Sequence, residues 1–271
     1  MSDLTTYSPN LCATLAALSA LAYAPRGGSG REHLPVGVTG VTFFENKETD
    51  TQYIIATLTS GARVIAFRGS SSFADWLTNL NADFIQVDKD VNVHDGFNRA
   101  FQSVFVSLVG TLRDLRQRAP DAELYLTGHS LGGALAQLAA LWLKLDSFDI
   151  AGIYTFGGPR VGNRGWRDLY QARLGLRTFR VVNREDPVPR LPSWLRGFRH
   201  AGNEVFLTST GGEFGQPSPL LLNPAWDRKC ISDLMGLWRG WFCKGKAALL
   251  PDHFIENYVK LAAWRQEVEK C

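Results

Sequence analysis

Residues 128–132 read Gly128-His129-Ser130-Leu131-Gly132, a serine with glycine two positions away on either side. A serine hydroxyl becomes a nucleophile at neutral pH only beside a base, most often a histidine that a carboxylate orients. Two histidines follow Ser130, His200 and His253. Where a serine sits on a strand-to-helix elbow, the chain order is nucleophile, acid, histidine, and the histidine follows the last strand. His253 meets that condition. His200 precedes the strand-like run 204–207 and reads as a hydrogen-bonded structural histidine. The acid belongs on a turn between nucleophile and base. Asp186 follows the run 178–182, and Pro187 fixes the turn after it; spacing alone does not separate it from Glu185. Asp168 lies in a helical pattern and reads as solvated, while Asp227 and Asp233 fall in an aromatic-rich stretch and are weaker alternatives.

In a chain with 26 glycines the pentad is a weak signal by itself, so its surroundings carry the argument. The run 123–127 has strand character and 131–145 is strongly helical, which puts Ser130 on the turn between them. Glycines on both sides, and again at 133, suit a crowded backbone there. The helix N-terminus behind the serine favours developing negative charge. A tetrahedral oxyanion also needs backbone donors. Leu131, directly after the serine, is expected to supply one, and Ser70, on the loop after the run 64–67, the second. Beyond Ser70, the residues Phe73, Trp76, Leu77 and Leu80 recur at helical spacing with polar residues opposite. They form either an ordinary docked helix or a lid over an apolar groove, spanning 71–84.

Stepping outward, strand-like runs at 52–59, 63–67, 123–127, 152–156, 178–182 and 204–207 alternate with helical patterns at 97–118, 131–145 and 164–174. This is an α/β class with a mostly parallel sheet and crossover helices. Only Ser60-Gly61-Ala62 separates the first two runs, so they are expected as an antiparallel hairpin. Residues 211–219 read as a loop, and 224–246 as a loop-like insert carrying Trp226, Trp238, Trp241 and Phe242. A last helix is expected over 252–270 with Asp252 as its N-cap.

With 271 residues, 45% hydrophobic and 20% charged, one domain over 1–271 is expected. The net charge of +3 is dispersed, which argues against a nucleic-acid partner. The apolar stretch 11–24 resembles a signal-peptide core but lacks a positive region before it, and is read as an amphipathic opening helix packed on the domain. No apolar run reaches the roughly 18 residues of a membrane span, so a soluble protein is expected, cytoplasmic or secreted by a non-standard route. Cys12, Cys230, Cys243 and Cys271 lack metal-ligand spacing; Cys230 and Cys243 are close enough in sequence to bridge a loop, and free thiols fit equally.

The stretches Phe67-Arg68-Gly69-Ser70, Val93-His94-Asp95-Gly96-Phe97, 127–136, 154–163, 183–192, His200-Ala201-Gly202 and Asp252-His253 together resemble the class 3 lipases of the filamentous-fungal type, a family that includes feruloyl esterases. The resemblance spans about residues 63–253. It implies an α/β-hydrolase fold with helices on both faces of the sheet and a short helical lid. It puts the triad on Ser130, Asp186 and His253, preferring Asp186 to Glu185. It puts the oxyanion hole on Ser70 and Leu131, and the lid on 71–84. It implies acylglycerol esters at an oil–water interface as substrate and neither metal nor organic cofactor; the oligomeric state is left open, with a monomer favoured. An esterase for soluble or aromatic esters is the nearest alternative; a non-catalytic lipid-binding protein is a remote one. The insert 224–246 lies outside the shared pattern, and the four cysteines do not map onto the disulfide framework of the secreted fungal members.

Overall fold

The computed structural model describes residues 6–24, 34–70, 83–183, 186–207, 213–214 and 253–268. Helix α1 (Pro9–Leu21) opens with Ser8 as its cap, whose hydroxyl accepts from the Leu11 amide, and with proline at the first helical position. Its apolar residues are spread around the helix and do not form a stripe; Cys12, Leu15, Ala16 and Leu18 are all buried. The expected amphipathic helix is therefore a buried one, wedged against the sheet, and this explains its signal-like composition.

Strands β1 (Val38–Asn46), β2 (Thr51–Leu58) and β3 (Arg63–Phe67) form an antiparallel meander, which contains the expected hairpin. A separate two-stranded hairpin, β4 (Phe84–Asp88) and β5 (Val91–His94), leads into α2 (Asp95–Arg118). Beyond it come β6 (Leu124–His129), α3 (Leu131–Leu145), β7 (Gly152–Phe156), α4 (Arg164–Leu174), β8 (Thr178–Asn183), β9 (Asn203–Leu207), the short β10 (Glu213–Phe214) and α5 (Ile255–Val268). The main sheet has the order β1-β2-β3-β6-β7-β8-β9-β10, with β3, β6, β7, β8 and β9 parallel. This is the expected α/β-hydrolase architecture.

Strands β6, β7 and β8 are buried at every residue, which is why they read as unbroken apolar runs and not as alternating ones. On one face α2, α3 and α4 enclose a core containing Phe97, Phe101, Leu108, Leu135, Leu138 and Trp166. On the other, α1 and α5 enclose Leu15, Leu18, Val64, Tyr154, Val181 and Tyr258. Each such large side chain contributes about 1.5–3 kcal/mol relative to exposure. Arg180 and Glu204, paired in register across β8 and β9, form a buried ion pair at 2.9 Å. Among the described residues no helix is long and apolar enough to cross a membrane. Cys12 is buried in α1, while Cys230, Cys243, Cys271, Asp252 and the insert 224–246 lie outside the described residues.

Candidate active site

Ser130 occupies the turn between β6 and α3 with φ 57° and ψ −128°, a left-handed backbone that non-glycine residues adopt at a cost of about 1–3 kcal/mol. The turn holds because its neighbours cannot give. A β-carbon on Gly132 would stand 2.2 Å from the Phe67 carbonyl oxygen at the end of β3, and one on Gly128 would stand 2.3 Å from Gly132 itself. Both glycines thus permit a close approach of backbones, and the Ser130 amide is tied to the Phe156 carbonyl at 2.9 Å. Ser130 stands at the N-cap position of α3, where a serine ordinarily spends its hydroxyl on the helix amides. Here it makes no capping bond, and its buried Oγ has no hydrogen-bond partner among the described residues.

His253 lies two residues before the start of α5, and Asp186 lies on the turn after β8. The His253 Nδ1 is 2.7 Å from Asp186 Oδ2, with side chains 5% and 0% exposed. The carboxylate has further donors: the Tyr258 hydroxyl reaches Oδ2 at 2.6 Å, and the Val188 amide reaches Oδ1 at 2.9 Å. Tyr258 in turn accepts from the Asn183 amide at 3.0 Å, so α5 is fastened to the end of β8. Gly157, at the end of β7, is the point where these parts meet. Its φ is +58°, and a β-carbon there would lie 2.6 Å from Asp186 Oδ2, 3.0 Å from the Tyr258 hydroxyl and 3.2 Å from His253 Cε1.

Leu131 is the first residue of α3, so its amide is among those an α-helix leaves without an internal acceptor. Ser70 is half-buried on the loop leaving β3; at its neighbour Gly69 a β-carbon would stand 2.8 Å from the His129 carbonyl, so this loop lies directly on the elbow. His200 donates to the Pro189 carbonyl from Nε2 at 2.5 Å, and burial together with Arg180 and Arg160 holds its pKa well below the ordinary imidazole range. It is a structural histidine, as its position before β9 suggested. Asp168 is exposed on α4 and paired with Arg167 and Arg164. Glu185, Asp227, Asp233 and the lid candidates Phe73, Trp76, Leu77 and Leu80 lie outside the described residues. The last residue of the expected lid, Phe84, begins β4 and stacks on Phe198 at 4.2 Å. No group of acidic, histidine or cysteine side chains among the described residues is arranged to hold a metal ion.

A serine on a strained turn, a buried imidazole–carboxylate pair and amides at a helix N-terminus are the parts needed for acyl transfer. A family model described as Lipase (class 3) matches residues 64–195. A secreted mono- and diacylglycerol lipase of Fusarium solani is 37% identical over 148 residues, covering 53% of this chain and 43% of its own length. A lipase of Rhizomucor miehei is 37% identical over 174 residues, covering 60% and 47%. The chain spans about half the length of these relatives. The solved triacylglyceride lipase of Rhizomucor miehei superposes with a TM-score of 0.68 at 30% identity, over 74% of this chain and 80% of that one. The chain belongs to the class 3 lipases.

The same comparison includes a triacylglycerol lipase whose catalytic centre is described as a serine-protease triad, 31% identical with a TM-score of 0.67. In this class 3 lipase the elements that hold Ser130, Asp186 and His253 come together from the ends of β6, β8 and the start of α5. Four residues around them were not marked by sequence reasoning as parts of the site: Gly157, Tyr258, Tyr23 and His129. Gly157 and His129 stood inside stretches already singled out. Nothing in the sequence tied the two tyrosines to the site.

Proposed function

We propose that this class 3 lipase hydrolyses carboxylic esters of acylglycerols through an acyl-enzyme on Ser130. The observation that carries the reading is the buried Ser130 hydroxyl, left uncommitted at a helix N-terminus on a left-handed backbone. His253 takes the hydroxyl proton as Oγ attacks the ester carbonyl, and Asp186 orients the imidazolium that forms. The amides of Leu131 and Ser70 receive the oxyanion, and the Ser70 hydroxyl adds a donor. Collapse of the tetrahedral intermediate breaks the ester bond, and the proton returns from His253 to the departing alcohol. Water, deprotonated by the same histidine, then releases the fatty acid and restores Ser130.

An interface-gated substrate is favoured over a small soluble ester. Ser130, Asp186 and His253 are each under 5% exposed, while Phe254 beside the base and Leu195 are more than half exposed and Phe84 and Ile85 are 37% exposed. A buried triad with an exposed apolar residue next to its base suits a protein that opens on a lipid surface. A fungal lipase–inhibitor complex described as a model for interfacial activation is 30% identical with a TM-score of 0.66.

Replacing Ser130 by Ala is expected to abolish turnover of p-nitrophenyl esters and labelling by a fluorophosphonate while leaving the circular dichroism spectrum intact. Retained turnover would remove Ser130 from the mechanism, and a wild-type chain that takes no label would leave a lipid-binding role. A series of acylglycerols measured below and above the solubility limit separates lipase from esterase: a rise in rate on crossing the limit supports the former, and a flat series the latter.

A further inference from the structure

His129, the second residue of the pentad, has no part in the mechanism above, yet both of its ring nitrogens are engaged. Nε2 lies 2.6 Å from the backbone carbonyl oxygen of His253, and Nδ1 lies 2.9 Å from the Tyr23 hydroxyl. A carbonyl only accepts, so Nε2 carries the hydrogen. The ring is buried, with its centroid 4.6 Å from that of the tilted His253 ring; burial and that neighbour push its pKa well below the ordinary imidazole range, so the ring is neutral. Nδ1 then has a lone pair and accepts from Tyr23. The Tyr23 oxygen also lies directly on Gly69, so close that a β-carbon there would stand 2.0 Å from it.

The result is an ordered run of donors, Tyr23 to His129 and His129 to His253, with the Tyr23 oxygen packed on Gly69. It joins three segments that are remote in sequence and contribute the three working parts of the proposed site. Gly69 precedes Ser70 on the oxyanion loop, His129 precedes the nucleophile, and the carbonyl belongs to the base itself. Tyr23 lies just past the end of α1, well outside residues 64–195 that the family model covers.

We propose that Tyr23 and His129 are positioning residues that fix His253 and the Gly69-Ser70 loop about Ser130. They exchange no proton with substrate; they set where the groups that do so stand. The inference rests on the ester-hydrolase reading above.

The test uses the full chain and four variants, with active sites counted by a fluorophosphonate so that rates refer to folded enzyme. Tyr23→Phe removes one oxygen and is expected to lower kcat on a short p-nitrophenyl ester about tenfold, with KM within about twofold, as the loss of one buried hydrogen bond implies. His129→Leu removes both links and is expected to cost about a hundredfold or more. His129→Gln restores a donor toward the His253 carbonyl and His129→Asn an acceptor for Tyr23, so both are expected to fall between wild type and His129→Leu. A purely structural role would lower the unfolding temperature and the number of active sites but leave kcat per site unchanged. Folded variants with kcat per site within twofold of wild type overturn the proposal, and should His129→Leu not fold, Tyr23→Phe alone decides it. A wild-type chain that neither takes label nor cleaves ester overturns the hydrolase reading and this one with it; an active wild type with unaffected variants overturns only this one.

Discussion

Replacing Gly157 by Ala places a methyl group at the centre of the proposed triad. The backbone effect comes first. At φ +58° an L-residue pays about 1–2 kcal/mol that glycine does not, which corresponds to a fall of roughly 2–8 °C in Tm for a chain of this size. The steric effect is local. The new carbon would stand 2.6 Å from Asp186 Oδ2, about 0.8 Å inside ordinary van der Waals contact. That oxygen accepts from both His253 Nδ1 at 2.7 Å and Tyr258 at 2.6 Å, so it cannot retreat without lengthening at least one of those bonds. A displacement approaching 1 Å in a reacting constellation costs on the order of a hundredfold in rate. The expected result is a folded protein with kcat reduced about 10–100-fold and KM little changed, since the methyl group faces the triad. Initial rates on p-nitrophenyl esters, normalised to phosphonate-titrated sites and combined with a thermal melt, measure both effects. Unchanged kcat per site would refute the placement of Gly157 against the Asp186–His253 pair.

Other expectations follow from the same geometry. Tyr258→Phe removes a donor to a buried carboxylate and the acceptor of the Asn183 amide; urea unfolding should show a loss of about 1.5–3 kcal/mol, with a fall in kcat. Ser70→Ala should lower kcat by about a hundredfold without loss of stability if its hydroxyl reaches the oxyanion, and a normal kcat would leave only the Ser70 amide in that role. His129 and His200 are both held neutral in the fold by pKa values pushed well below the ordinary range. As pH falls below about 6.5, the unfolded chain binds two protons that the native state refuses, so stability drops by about 2 kcal/mol between pH 6.5 and 5.5 and levels off below the folded-state values. Urea titrations across that window would find about half that slope if one ring were solvated and none if both were.

The parts of the fold that were legible are those where local signals agree with tertiary placement. Helices α3 and α4 were read to the residue, the latter because Asn163 caps it by accepting from the Trp166 amide. Helix α2 begins two residues before its apolar pattern because His94 caps it through Nδ1. Strand β1 was missed: it carries a glycine and a bulge at its start and lies at the sheet edge, where no strict alternation is imposed. The β4–β5 hairpin was missed because its strands are only 5 and 4 residues long and mix polar with apolar types, although Val91 and Val93 of β5 are buried in the core. In the site, chain order pointed to His253 and Asp186, and resemblance alone preferred Asp186 to Glu185; the geometry gives Asp186 the bond to His253. Tyr23 and Tyr258 were illegible because their partners lie on segments more than 40 residues away in sequence, and a lone tyrosine in or just beyond a helix has core filling as its ordinary reading.

The packing of α1 against α5 bears on the order of events during synthesis. A chain emerges from the ribosome with its N-terminal side first, and its early elements fold as they appear. The elbow, the oxyanion loop and Asp186 can all be in place while His253 is still unmade. On the proposed mechanism such a nascent chain carries a silent serine, and ester cleavage switches on only when α5 docks beside α1 and brings the base with it. Stalled chains of increasing length, challenged with a fluorophosphonate, are expected to take no label until α5 has emerged; adducts on shorter chains would show that Ser130 is activated without His253.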